Sequence, residues 1–228
     1  MNPTQFIISN AWKAQYPGAV VGILAMRDVN NPESHPAIES LKSEKESELR
    51  TQFAGQDRAA LKNLDRIKAY EEYYGIFGKT YHVLLQLESI ALKGKPFASI
   101  GALVQVMFVA EVGNLILTAG HDLDRMVLPL TLDIAKGTES YMSYSGKPQT
   151  PKEGDMMIAD AEGITSSVIL GPDHRTRIQP DTKNVLFAAY APGGIGKEAM
   201  QKHLEDMRDG TMLIAPDAVT ELIEVYEA

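Results

Sequence analysis

The spacing of apolar and polar residues divides this chain into a helix-rich first half and a strand-rich stretch after residue 120. The apolar run AVVGILAMRDV at residues 19–29 follows the turn signal Pro17-Gly18 and reads as the first strand. NNPESHP then breaks the chain, and Ser34 and Pro36 mark a helix start. Ile38, Leu41, Leu49 and Phe53 give that helix an apolar stripe, and Gly55 ends it. A second helix is predicted from Asp57, with Ala60, Leu64, Ile67 and Tyr74 inward and Gly78 closing it. HVLLQLESIALKG ends on Gly94, a residue that tolerates the left-handed turn of a helix cap. SIGALVQVMFVAEVGN is apolar nearly all round, which predicts a helix buried on most sides.

After Gly120 the period changes. LPLTLDIA places Leu128, Leu130, Leu132 and Ile134 on one face and Pro129, Thr131 and Asp133 on the other, the pattern of a half-buried strand. SYMSYS, DMMIAD, ITSSVIL and NVLFAAYA follow as further strands. Two helices are predicted to finish the chain. One carries Met200, Leu204 and Met207 before Gly210, the other Val219, Leu222, Ile223 and Tyr226 after Pro216. Helices over 1–120, strands over 121–191 and C-terminal helices over 192–228 predict one α+β domain.

Composition narrows the function classes. The 44% hydrophobic and 23% charged fractions are those of an ordinary globular protein. The absence of cysteine excludes disulfides and thiolate nucleophiles and fits a reducing, cytoplasmic setting. The N-terminus lacks the basic and long apolar regions of a signal peptide. The most apolar stretch, residues 100–120, is interrupted by Gln105, Glu111 and Asn114, so a buried helix is expected there and no membrane contact. Net charge is −8, and residues 198–228 hold eight acidic residues against Lys202 and Arg208, which argues against a purely electrostatic nucleic-acid binder.

Several motifs fail on inspection. APGGIGKEAM resembles a phosphate-binding loop, but Ala191 stands where its first glycine belongs and Glu198 where its hydroxyl belongs. None of the five histidines has the spacing of a zinc helix, and turn chemistry accounts for the HDLD run of His121, Asp122 and Asp124. No GxSxG element is present. No metal or other cofactor is therefore expected. The densest polar run is DHRTRIQPDTKN, residues 173–184. One reading makes Arg175, Arg177 and Lys183 donors to a phosphate or carboxylate, with His174 as an acid–base group. The other is a solvated loop whose cations are balanced by Asp173 and Asp181.

Several segments in order resemble the tRNA-editing domain of the phenylalanyl-tRNA synthetase beta subunit, modules B-three and B-four, and its stand-alone relatives. They include YPGAVVGILAMRDV, AYEEYYGIFGK, LESIALKGKPFASIGALVQ, GHDLDRM, the stretch 128–163 and DHRTRIQPDTKNVLF, and together span residues 6–215. The resemblance implies a three-layer α+β domain with a β-sandwich core of unusual topology and a helical layer. It implies binding of tRNA or other RNA, above all an aminoacyl-tRNA end, and, if the protein is an enzyme, aminoacyl-tRNA deacylation. The modules needed for a complete tRNA ligase are not among these residues. Phe108 and Ala119 stand where the synthetase form has an Asn and a His. In this reading Arg175, Arg177 and Lys183 contact phosphate, His174 and Asp122 line the pocket, and Asp124 and Thr182 belong to the same binding set. The competing expectation is a module for an amino-acid-like small molecule, without RNA contact or catalysis.

Overall fold

Val20–Arg27 (β2) is buried along all but its last residue because it lies inside a sheet that is covered on both faces. In this computed structural model, which describes residues 5–228, β2 pairs antiparallel with Val185–Ala191 (β10), from Val20 opposite Ala191 to Met26 opposite Val185. Leu117–Asp122 (β3) flanks β10 and Val219–Glu227 (β11) flanks β2, giving the order β11-β2-β10-β3. A five-stranded sheet is formed by Phe6–Ile8 (β1), Leu130–Ile134 (β4), Met156–Asp160 (β7), Gly163–Ser167 (β8) and Gly171–Pro172 (β9). Only β1 and β4 are parallel in it. Tyr141–Met142 (β5) and Pro148–Gln149 (β6) make a short ladder of their own.

Side chains on β3 and β10 show how the layers stack. His121 and Tyr190 reach Ser166 on β8, in the five-stranded sheet. Thr118 bonds His203 of Lys197–Ile214 (α7), and a Cβ on Gly22 of β2 would collide with Met200 of the same helix. The four-stranded sheet is therefore a middle layer. It lies between the five-stranded sheet and helices α7 and Ala102–Asn114 (α6), which pack on each other. This is the α+β arrangement anticipated from the sequence.

The remaining helices are Asn10–Gln15 (α1), Pro36–Gln52 (α2), Arg58–Lys62 (α3), Asp65–Ile76 (α4) and His82–Leu87 (α5). His35 caps α2 by accepting from Ala37 N, one residue beyond the expected Ser34, with Pro36 in the first turn. Asp57 caps α3 as its position suggests, accepting from Ala60 N at 2.9 Å. The single helix expected from Asp57 to Gly78 is instead broken at Leu64, whose backbone is extended. After α5 the chain widens into a π-helical turn, Glu88–Leu92, before Gly94.

Three expectations are corrected. The apolar run 100–120 is not all helix: Leu115 turns left-handed at φ 54°, and the chain leaves α6 for β3. Gly210 does not end its helix. A Cβ there would stand 2.8 Å from Val106 Cγ1, so glycine lets α7 run on to Ile214 while pressed against α6. The second C-terminal helix is the strand β11. Val219, Leu222, Ile223 and Tyr226 fit helical spacing, but β-branched and aromatic residues also suit a half-buried strand. The edge of β2 supplies backbone partners from Arg27 to Val20, with one bulge between Thr220 and Leu222.

Candidate functional site

A cavity of about 540 Å³ opens where the edge strand β3 meets α5, α6 and residues 167–172 after β8. On α6, Val104, Met107, Phe108 and Glu111 follow i, i+3, i+4, i+7 spacing, so one stripe of the helix faces the cavity. Leu117 and Ala119 of β3 and Ile178 of the polar loop also contribute to the walls. Polar groups are few, among them His82, Gln86, Glu111, Thr118 and Tyr190. Phe108 and Ala119 both line this space.

Glu111 is the singular group. It is 1% exposed, and its Oε1 accepts from Thr118 N at 2.9 Å. Its Oε2 is buried and has no hydrogen-bond partner within the described residues, and the same holds for Oε1 of Gln86. Burial pushes the Glu111 carboxyl up to about 8, so it is mostly protonated at neutral pH. Thr118 Oγ1 continues the contact to His203 Nε2 at 2.7 Å. His203 Nδ1 lies 3.3 Å from Asn114 Nδ2, which donates to Asp206 at 2.9 Å. Burial holds His203 down to about 3, hence neutral.

On the opposite face of β3 a second buried chain runs between the sheets. Thr176 donates to Asp173 through both its amide and its hydroxyl. Its hydroxyl must therefore accept from His121 Nδ1–H at 2.7 Å, which leaves Nε2 as an acceptor for Ser166 at 3.2 Å. Ser166 in turn accepts from Tyr190 O–H at 2.6 Å. Burial, with Arg175 nearby, brings His121 down to about 4 and keeps it neutral. The Ser166–His121 pair has the direction of a nucleophile and its base. Both residues are fully buried and neither lines the cavity, so no substrate reaches them there.

The polar run 173–184 is wired mainly to the protein itself. Arg175 Nη2 donates to both carboxylate oxygens of Asp160 at 2.9 Å, and its Nη1 donates to Arg125 O at 2.8 Å. Arg177 donates to His174 O, whereas Lys183 donates to Asn30 at 3.0 Å. The two arginines thus hold different partners. Asp122 is buried, accepting from Thr182 Oγ1 at 2.8 Å and pairing with Arg125. Asp124 accepts from Asn184. His174 is exposed, its Nδ1 3.3 Å from the backbone oxygen of Tyr144, and Tyr144 lines the cavity, but neither His174 nor Asp122 does. Gly196 precedes α7, and Lys197 is bound to Glu227 of β11. Among the described residues no three His, Asp or Glu side chains assemble to hold a metal ion, and no helix is long and apolar enough to cross a membrane.

In the sequence Glu111 stands out only as an interruption of an apolar run, and no local pattern marks Gln86, His82 or Tyr190. The lone carboxylate in α6 was the available signal, because a buried acid demands a reason.

No family model matches the chain. Over 67 residues it is 33% identical to the phenylalanine–tRNA ligase beta subunit of Mycoplasma genitalium, covering 29% of this chain and 8% of that protein. An N-terminal fragment of the phenylalanyl-tRNA synthetase beta subunit from Pyrococcus horikoshii is 12% identical with a TM-score of 0.48, over 97% of this chain and 50% of that one. The chain thus matches a small part of the curated subunit and half of the solved fragment.

Proposed function

We propose that this protein binds the aminoacyl end of a tRNA, with the amino-acid part in the cavity and the acceptor strand against the rim. The observation that carries this reading is the cavity itself: an apolar space with buried hydrogen-bonding groups, edged by the polar loop that contains Ile178. The local sequence similarity to one phenylalanine–tRNA ligase beta subunit supports it, as does the ordered resemblance of the segments to the editing modules. In this reading His174, Arg177 and Lys183 meet phosphate, whereas Arg175 is taken up by Asp160. Asp122, Asp124 and Thr182 brace the same loop.

The reaction suited to such a site is hydrolysis of the aminoacyl ester. Water adds to the ester carbonyl, and the ribose hydroxyl leaves with a proton. The test is incubation with tyrosyl-, seryl- and other aminoacyl-tRNAs, following both binding and deacylation against a heat-killed control. Charged tRNA is expected to bind more tightly than uncharged tRNA, with an affinity that falls as salt rises. Equal or absent binding of both removes the reading, and binding without deacylation reduces it to a binding role.

A second reading, an amino-acid-like ligand without RNA, is favoured by the net charge of −8 and by the internal use of Arg175. It predicts that amino-acid esters bind while tRNA does not.

A further inference from the structure

The hairpin of β5 and β6 carries a ring and a cation that the cavity does not use. Along residues 141–144 burial alternates, with Tyr141 and Ser143 inside and Met142 and Tyr144 outside. Tyr141 anchors the strand by donating to Gly171 O at 2.7 Å. Tyr144 N donates to Pro172 O at 2.9 Å, and His174 N donates to Met142 O at 2.8 Å. Gly146, at φ 77°, closes the turn by donating to Ser143 O, and Ser143 N donates to Lys147 O. The backbone of Tyr144 is thus held against residues 172–174 while its side chain is left to solvent.

Tyr144 is 61% exposed and also lines the cavity, so it stands where the cavity meets solvent. A single exposed apolar residue needs no explanation by itself. The company of this one is polar. His174 is exposed, with Nδ1 3.3 Å from Tyr144 O. Lys147 is exposed on the same turn and has no ion pair or side-chain hydrogen bond among the described residues. Arg175 and Lys183, by contrast, are taken up by Asp160 and Asn30. No Lys or Arg side chain lines the cavity itself, so an anionic group on a guest must remain outside it.

We infer that the exposed ring of Tyr144 is a stacking platform for the terminal base of an RNA 3′ end, with Lys147 as the contact to a backbone phosphate. A nucleobase brings a π-face to the phenol ring and carries its phosphate on a short tether, which suits a ring and a free cation on one tight turn. An apolar protein surface laid here would bury Lys147 and His174 without partners. Resting on the RNA reading above, this adds a base subsite outside the cavity.

The test uses the intact protein and two single-stranded RNAs, CCA and the same oligomer with its terminal base removed, titrated by calorimetry. Loss of the base is expected to weaken binding by about tenfold or more, the usual effect of one stacked base. Tyr144→Phe should keep that difference. Tyr144→Ala should erase it, binding both oligomers equally and weakly, whereas a merely structural Tyr144 would weaken both and leave the difference intact. Lys147→Ala should lower the slope of log affinity against log salt by about 0.7, one phosphate contact on a single strand. Neither surface change should shift thermal melting. Equal binding of the two oligomers by the wild type, no binding of either at millimolar concentration, or an unchanged difference in Tyr144→Ala overturns the base subsite. An unchanged salt slope in Lys147→Ala overturns the phosphate contact. Charged tRNA that outbinds uncharged tRNA equally in wild type and Tyr144→Ala sinks the base subsite and leaves the proposed function standing. A Tyr144-dependent preference for the intact oligomer, with charged and uncharged tRNA bound alike, supports the base subsite and removes the cavity reading instead.

Discussion

Two buried polar clusters sit on opposite faces of β3, and they are finished to different degrees. Toward the five-stranded sheet, Asp173, Thr176, His121, Ser166 and Tyr190 form a chain in which every named group has a partner. Toward the helices, Thr118 joins Glu111 to His203, yet one buried oxygen of Glu111 has no partner among the described residues. A completed network in a low-dielectric interior fixes one arrangement and leaves nothing for a guest. An incomplete one of equal burial is stable only because the fold elsewhere offsets it.

The sharpest way to separate the two clusters is pH. The Glu111 carboxyl lies at about 8 in the folded protein against an ordinary value of 4.5, so the folded state holds an extra proton between those limits. Its contribution to stability is present below 4.5 and declines as pH rises toward 8, by up to about 1.4 kcal/mol per pH unit. Glu111→Gln should match the wild type at pH 5 and exceed it progressively up to pH 9 in urea denaturation. His121 and His203 act with the opposite sign, since lowered histidines cost stability as pH falls below 6.5. That acid limb should remain in the variant. A constant gap between variant and wild type at all pH values would break the comparison.

Next in size is the completed chain. Asp173→Ala leaves the Thr176 amide and hydroxyl without their acceptor and should cost about 2–3 kcal/mol, read as a lower urea midpoint at unchanged slope. Affinity for charged tRNA per folded molecule should hold. The smallest structural effect belongs to Arg177→Ala with Lys183→Ala, whose partners are surface groups. Thermal melting should not shift, whereas the salt dependence of tRNA binding should flatten by about one contact for each cation removed.

How much of this was legible depends on how local each signal is. The strands β2, β4, β7, β8 and β10 announce themselves because alternation, or an apolar run between turn residues, is set within a few positions. β11 misled because one list of apolar positions fits both a helix and a bulged strand, and only the edge of β2 decides between them. β3 was hidden because nothing apolar changes between α6 and the strand; a left-handed Leu115 makes the turn. The polar run 173–184 looked like chemistry, but the partner that absorbs Arg175 sits at the end of β7. The cavity was less visible still, since its polar groups come from α5, α6, β3 and β10, which meet only after folding. Glu111 alone left a trace, as a charge where the helix had every reason to be apolar.

The middle sheet also sets a timetable. β2 is complete by residue 27, but its two neighbours are β10 and β11, which begin at residues 185 and 219. During synthesis a strongly apolar strand therefore emerges well before its partners and must wait, unpaired on both edges, while the residues up to β10 and β11 are still being made. The intervening helices are local structures and can form in that interval, with α6 and its buried carboxyl among them. The cavity wall cannot close until β3 has found β10. For a nascent copy, sequestering β2 is thus a separate problem from folding the rest, and chaperone dependence should track the delay before residue 191 leaves the ribosome.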